Sequence, residues 1–214
     1  MRNVGGRRKR TCSSEWSATR PLRAALAPWL IAASPLAVVA SALDARADSA
    51  TVPLGLQVEL VAKVADYDKT LLGRSEGMIH VLVVTRAGVA ESGSAGARVL
   101  NALSAIATIS GLPHQDSSVE FTDAPSLIAL CKARGVSILY MMPGLADVDE
   151  KVSKELADIP VLSVSATAEG TAKGIVLGFD LAGGKPKLVV NLPASKRQGV
   201  RLSVEVLMIA TVIE

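Results

Sequence analysis

The feature that most restricts how this chain can fold is a set of short apolar runs separated by helical patterns. Residues 78–85 (MIHVLVVT) and 136–142 (VSILYMM) are almost unbroken apolar stretches. Runs of that length suit strands covered on both faces, as in a parallel sheet. Residues 118–122 (SVEFT) alternate, which suits a strand near a sheet edge, and 159–165 (IPVLSVS) predict a further strand. Helical periodicity fills the intervals. Pro53 opens a helix through Leu54, Val58, Val61, Ala62 and Ala65 to about Tyr67-Asp68, and residues 71–77 then form a turn with two glycines. Residues 97–110 are helical through Val99, Leu100, Leu103, Ile106 and Ala107, with Gly111-Leu112-Pro113 as the stop. Residues 124–134 form a helix with Asp123 as N-cap and Gly135 as its closure, and 145–157 form another amphipathic helix. Strands joined through helices imply right-handed crossovers and a sheet covered on both sides.

The segment 174–214 departs from that alternation. Two β-rich runs, 175–181 and 187–192, flank Gly183-Gly184, a pair able to adopt the positive φ angles of a tight hairpin turn. Pro193 ends the second run because it cannot donate to a ladder. Leu202, Val206, Leu207 and Ala210 then recur at helical spacing. The expected architecture is a three-layer α/β sandwich with a largely parallel sheet, a C-terminal antiparallel β-hairpin and a terminal helix.

Residues 1–47 read as an export signal. Basic residues (Arg7, Arg8, Lys9, Arg10, Arg20, Arg23) precede the apolar stretch 26–43, which is broken by Pro28 and Pro35, and Ala45-Arg46-Ala47 offers a small-x-small cleavage site. Residues 48–214 are then one domain, exported with the signal cleaved near Ala47. Of 23 basic and 20 acidic residues, eight basic but only two acidic ones lie in this leader. The remainder has 15 basic and 18 acidic residues, so the basic charge belongs to the signal and nothing argues for nucleic acid as a partner. Cys131 is the lone cysteine outside the leader, which excludes an internal disulfide there. It reads as a buried, inert thiol, with pairing to another molecule as the alternative.

The residues around the hairpin carry a family resemblance. Gly174-Ile175-Val176-Leu177-Gly178-Phe179, Gly183-Gly184-Lys185-Pro186-Lys187-Leu188, Val190-Asn191-Leu192, Ala194, Lys196-Arg197, Gly199 and Val200-Arg201-Leu202-Ser203 resemble the closing segment of YfiR-like proteins. Upstream, Pro160-Val161-Leu162-Ser163-Val164-Ser165 is similar to a strand of the same family, and Gln57, Leu60, Lys63 and Tyr67-Asp68 to its opening helix. The resemblance implies a periplasmic α/β protein. It also implies a partner, the periplasmic sensing domain of an inner-membrane diguanylate cyclase, whose restraint lowers cyclic-di-GMP and biofilm formation.

Catalytic chemistry is thin. His80 lies in a buried-strand pattern and His114 follows a Gly-Leu-Pro turn, neither with metal-ligand spacing. No nucleophile elbow is present. The cluster Asp147, Asp149, Glu150 reads as a solvated first helical turn favoured by the helix dipole. The small-residue stretch 88–96 is the best ligand-loop candidate, with Gly93, Ser94 and Gly96 as the residues whose N–H groups could hold an anion. The exposed cations Lys196, Arg197 and Arg201 are the partner-binding candidates. The expected function is that of a non-enzymatic periplasmic regulator without cofactor or metal, acting on a membrane signalling protein of diguanylate cyclase type, with homodimers allowed. The alternative is a periplasmic small-molecule or anion-binding module.

Overall fold

The computed structural model describes residues 51–214. The expected export signal and its cleavage site lie outside the described residues. Helix α1 (Leu54–Asp66) and the single-turn α2 (Leu71–Arg74) precede β1 (Ile79–Arg86). Then follow α3 (Ala90–Ser104), β2 (His114–Phe121), α4 (Ala124–Arg134), β3 (Val136–Met141), α5 (Asp149–Glu155), β4 (Leu162–Ser165) and α6 (Ala168–Ala172). The chain closes with β5 (Leu177–Ala182), β6 (Lys185–Asn191), α7 (Leu192–Arg197), α8 (Val204–Ile209) and β7 (Thr211–Ile213).

The strands form one seven-stranded sheet in the order β2-β1-β3-β4-β5-β6-β7. Every neighbouring pair is parallel except the β5-β6 hairpin. The three-layer α/β sandwich follows from how side chains alternate across the pleat. Val81 and Val83 join Val58, Val61, Val99, Leu103, Ala194 and Val206 under α1, α3, α7 and α8. Leu82 and Val84 join Leu127, Ile128, Cys131, Val152 and Leu156 under α4 and α5 on the other face. The interior strand β3 is buried at all six positions, as its unbroken apolar run predicts. Strand β2 is half-buried and lies at the sheet edge, as its alternation predicts.

Local signals set several boundaries. The Asp123 carboxylate accepts from Ser126 N–H at 2.9 Å, and Gly135 closes α4 in the left-handed region at φ 57°. Gly183 and Gly184 occupy φ 59° and 75° between the paired residues Ala182 and Lys185, the two-residue turn their sequence predicts.

Elsewhere the structure corrects the sequence reading. The stretch 88–96 is not a loop: α3 begins at Ala90 and carries Gly93, Ser94 and Gly96 within it. Packing explains the small residues. A Cβ on Gly96 would stand 2.6 Å from Thr85 Cγ2 and 3.6 Å from Val83 Cγ1, so the glycine lets α3 lie close to β1. The helix also stops sooner than periodicity suggests, at Ser104. A tight turn at Ser110-Gly111 (φ 51° and 76°) follows, closed by reciprocal backbone hydrogen bonds between Ile109 and Leu112. Residues 71–77 include the helical turn α2, and the polar stretch 166–173 contains α6. The helix expected over 145–157 shortens to α5, and the strand expected over 159–165 to β4.

The terminal helix is the largest revision. Pro193 does not merely end a strand: it sits in the first turn of α7, where its missing N–H costs nothing. The helical spacing of residues 202–210 yields only the six residues of α8. Ala210 is extended, and the chain continues as β7 parallel to β6. The backbone groups on the outer side of β6 thereby gain partners, which a longer helix could not supply.

Candidate functional site

The C-terminal surface is built by an antiparallel contact between two chain segments far apart in sequence. Lys69 N–H donates to Arg201 carbonyl and Ser203 N–H to Tyr67 carbonyl, each at 3.0 Å. Beneath this contact the Asp68 carboxylate accepts from Arg74 Nη2 at 2.6 Å, from Thr70 Oγ1 at 2.7 Å, from Thr70 N–H at 3.0 Å and from Arg201 N–H at 3.2 Å. Burial pushes its carboxyl up, but the hydrogen bond and charge of Arg74 and the Thr70 donors outweigh that and hold it below the usual carboxylate range. Asp68 therefore anchors the end of α1 to the start of the C-terminal segment.

This anchor presents Tyr67 beside α8. Three large apolar side chains of α8 face solvent: Val204, Met208 and Ile209 are 65%, 80% and 62% exposed. Val206 points the other way into the core. A six-residue helix with one buried apolar residue and three exposed ones offers an unpartnered apolar face, bordered by the exposed Lys69, Arg201 and Glu205.

The three expected partner-binding cations do not form one cluster. Arg201 lies in the paired segment beside Tyr67 and α8. Lys196 and Arg197 occupy the last turn of α7, where the helix dipole favours positive charge. Arg197 reaches toward Gly174 and, with Glu150, Lys173, Asn191 and Glu214, lines a separate cavity of about 360 Å³. Asn191 holds that corner together: Oδ1 accepts from Ala194 N–H at 2.8 Å, and Nδ2 donates to Thr171 carbonyl at 2.9 Å.

At the carboxyl ends of the parallel strands, where α/β sheets often bind ligands, the polar groups near α3 are engaged with one another. Arg86 Nη1 pairs with Asp147 at 2.7 Å across the ends of β1 and β3. Arg86 N–H donates to Ser92 Oγ at 2.9 Å, and Ser94 Oγ donates back to Glu91 carbonyl at 3.0 Å. The helical N–H groups of Gly93, Ser94 and Gly96 thus lie in or against α3 rather than around an open loop. The acidic cluster also differs from its expected solvated state. Asp149 is only 3% exposed, and its Oδ1 has no hydrogen-bond partner. Burial pushes its carboxyl up to about 6, assisted by the charges of Glu169 and Asp147 and opposed by Lys173. Sequence periodicity could not show this, because the cover comes from α6: a Cβ on Gly170 would lie 2.8 Å from Asp149 Oδ2.

The remaining reactive side chains are structurally occupied or withdrawn. His114 opens β2 with Nδ1 against Asp116 Oδ1 and Nε2 against Ile106 carbonyl, both at 2.8 Å. Burial disfavours its charged form, but these two partners prevail and raise its pKa. Cys131 is free and buried in the α4 face, and burial pushes its thiol up to about 11. That favours the inert reading, since the thiolate is the nucleophile. Among the described residues, no group of three or more His, Cys, Asp or Glu side chains could hold a metal ion. No helix among them is long and apolar enough to cross a membrane.

The YfiR/HmsC-like family model matches residues 86–211, from the end of β1 into β7. The chain belongs to the YfiR/HmsC-like family. The match takes in α7 with Lys196 and Arg197, the following Arg201, and α8, and it agrees with the resemblance read from residues 174–203. No curated protein matches the chain. Among solved structures, this YfiR/HmsC-like chain is similar to a conserved domain protein from Vibrio cholerae O1 biovar eltor, with 14% identity over 76% of this chain and 60% of that one (TM-score 0.51). It is also similar to the ABC domain in complex with L-Trp from Streptococcus pneumoniae, with 13% identity over 75% and 62% (TM-score 0.55). A third is the ligand-free, open structure of CD0873 from Clostridium difficile, a substrate binding protein with adhesive properties, with 13% identity over 76% and 60% (TM-score 0.51). The chain spans 60–62% of the length of these structures, and the likeness is one of α/β fold.

Proposed function

We propose that this YfiR/HmsC-like chain is a periplasmic, non-enzymatic regulator that binds and restrains the external domain of an inner-membrane signalling protein of diguanylate cyclase type. The observation that carries this reading is the unpartnered apolar face of α8, Val204, Met208 and Ile209, which lies in the family-matched segment 86–211 and beside Tyr67. Protein interfaces combine such an apolar centre with a polar rim. Arg201 supplies part of that rim, and Lys196 and Arg197 offer a separate positive contact on α7. An acidic, apolar-centred patch on the partner's periplasmic domain fits this surface. The family resemblance supports the periplasmic location, the choice of partner and a regulatory rather than enzymatic role.

Affinity capture from membranes tests the reading. The wild-type chain should recover an inner-membrane protein with a diguanylate cyclase domain, and its deletion should raise cyclic-di-GMP. Val204→Asp with Met208→Asp should abolish capture and raise cyclic-di-GMP as deletion does, while leaving the fold intact, because both side chains face solvent. Charge reversal at Arg201 should weaken capture, and at Lys196 and Arg197 to a smaller degree. Unchanged cyclic-di-GMP on deletion, with no cyclase recovered, overturns the proposal.

A further inference from the structure

The amino end of the sheet carries a concavity that the protein-binding reading does not use. Two adjoining cavities of about 460 and 450 Å³ open beneath the amino ends of β1, β2 and β3, and His80 and Arg134 line both. Their size is that of small-molecule pockets. They exist because α4 ends at Arg134 and leaves the first half of β2 uncovered on that face. The β1-β2 register places Gln115 beside His80 and Ser117 beside Leu82, on the same side of the sheet as α4.

The walls converge from four segments. Arg74 comes from α2 and Glu76 from the turn after it. His80 comes from β1, and Lys132 and Arg134 come from the last turn of α4. The Arg74 guanidinium is fixed by its bonds to Asp68 and Thr70, which leave its buried Nε without a partner. Lys132 and Arg134 have no ion-pair partner among the described residues. Among the described residues neither side chain donates to a carbonyl at the end of α4, where Gly135 N–H caps those of Cys131 and Lys132. Two uncommitted cations thus share a concave wall with a held guanidinium and an imidazole, against the single carboxylate of Glu76. Gln115 and Ser117 add neutral hydrogen-bonding groups in the second cavity.

We infer that this concavity is a binding site for a small dianionic metabolite, a phosphate ester or a dicarboxylate. Lys132 and Arg134 hold the charged group, and His80, Gln115 and Ser117 contact the polar remainder. A concave wall with more positive than negative charge raises the local concentration of anions, and Arg with a carboxylate or phosphate forms two parallel hydrogen bonds. The ligand-holding residues Lys132, Arg134, His80, Gln115 and Ser117 are not part of the α8 surface, so either assignment can fail without the other.

Calorimetric titration of the full chain with inorganic phosphate, and separately with succinate, at fixed ionic strength is the test. At least one should bind saturably, and which one does separates phosphate from carboxylate ligands. Arg134→Gln and Lys132→Gln should each weaken that binding about tenfold, the usual worth of one charge-assisted hydrogen bond. Both side chains are exposed, so the variants should fold as wild type does, and circular dichroism checks that they do. Lys196→Gln, an exposed cation on α7, should leave binding unchanged. Absence of saturable binding of both probes overturns the inference. So does wild-type affinity in Arg134→Gln and Lys132→Gln, or an equal loss in Lys196→Gln.

Discussion

The Tyr140 hydroxyl in the middle of β3 donates to Gln57 Oε1 on α1 at 2.6 Å, with both side chains buried. Gln57 passes the connection on: its Nε2 donates to Val52 carbonyl at 2.9 Å and to Ala166 carbonyl, just past β4, at 3.1 Å. One carboxamide therefore ties the first helix to two central strands. Tyr140→Phe leaves Gln57 Oε1 buried without a donor and should cost about 1–3 kcal/mol. Gln57→Leu strands two carbonyls and the tyrosine hydroxyl together and should cost more. Urea unfolding of both single variants and the double variant gives the coupling. If the three unfolding midpoints coincide with wild type, the network contributes nothing.

Asp149 gives stability an unusual pH dependence. Its carboxyl is pushed from 3.8 up to about 6 in the folded chain, first by burial. The folded state therefore holds the proton more tightly than the unfolded state. The group's contribution to stability is full below about 3.8 and is lost as pH rises toward 6, at ~1.4 kcal/mol per pH unit at most. Asp149→Asn removes this dependence. The difference in unfolding free energy between variant and wild type should move in favour of the variant from pH 3.5 to pH 7, by about 1–3 kcal/mol. A difference that stays flat over that interval contradicts the assignment.

Asp68 has the opposite sign. Its folded pKa is depressed, so the stability it contributes is present above the unfolded value and is lost as pH falls through the folded one. Asp68→Asn should cost about 3 kcal/mol at neutral pH, because Arg74 is left with a buried, unpaired charge. Arg74→Met in the same chain should recover part of that loss. The same variant should also loosen the 67–69 and 201–203 contact, which hydrogen exchange at Lys69 and Ser203 would report.

Two glycines separate turn chemistry from close packing. Gly178 in β5 faces α6 so closely that a Cβ there would strike Thr171 Oγ1 and come 2.8 Å from Thr167 carbonyl. Gly178→Ala should destabilise by about 2–3 kcal/mol through overpacking. Gly183→Ala meets open space and strains only a positive φ, so it should cost about 1 kcal/mol. Thermal unfolding of the two variants ranks them, and equal shifts would remove the packing argument.

Some of this molecule is written locally. The unbroken apolar runs at 78–85 and 136–142 required strands buried on both faces, and β1 and β3 are interior strands of the sheet with a helical layer on either side. Asp123 and Gly135 bounded α4 because a cap acts on groups within four residues of itself. Gly183-Gly184 set the hairpin register for the same reason, and Asn191 caps the turn of chain that follows β6. The family resemblance belongs to this class too, since it rests on contiguous residues around that hairpin.

The candidate site was less legible, because its determinants come from chain segments far apart. Small residues at 93–96 are equally good for an anion loop and for a helix pressed onto a strand, and Thr85 and Val83 beneath Gly96 decided for the helix. The burial of Asp149 depended on α6 arriving over it at Gly170. The residues 202–210 carry a helical period, yet only the free edge of β6 determined that the chain turns extended at Ala210 and pairs as β7. The exposed face of α8 and the cationic concavity below His80 arise in the same way. Periodicity and capping fix which elements form, whereas which side chains remain uncovered depends on where distant elements end, and that is decided by packing in three dimensions.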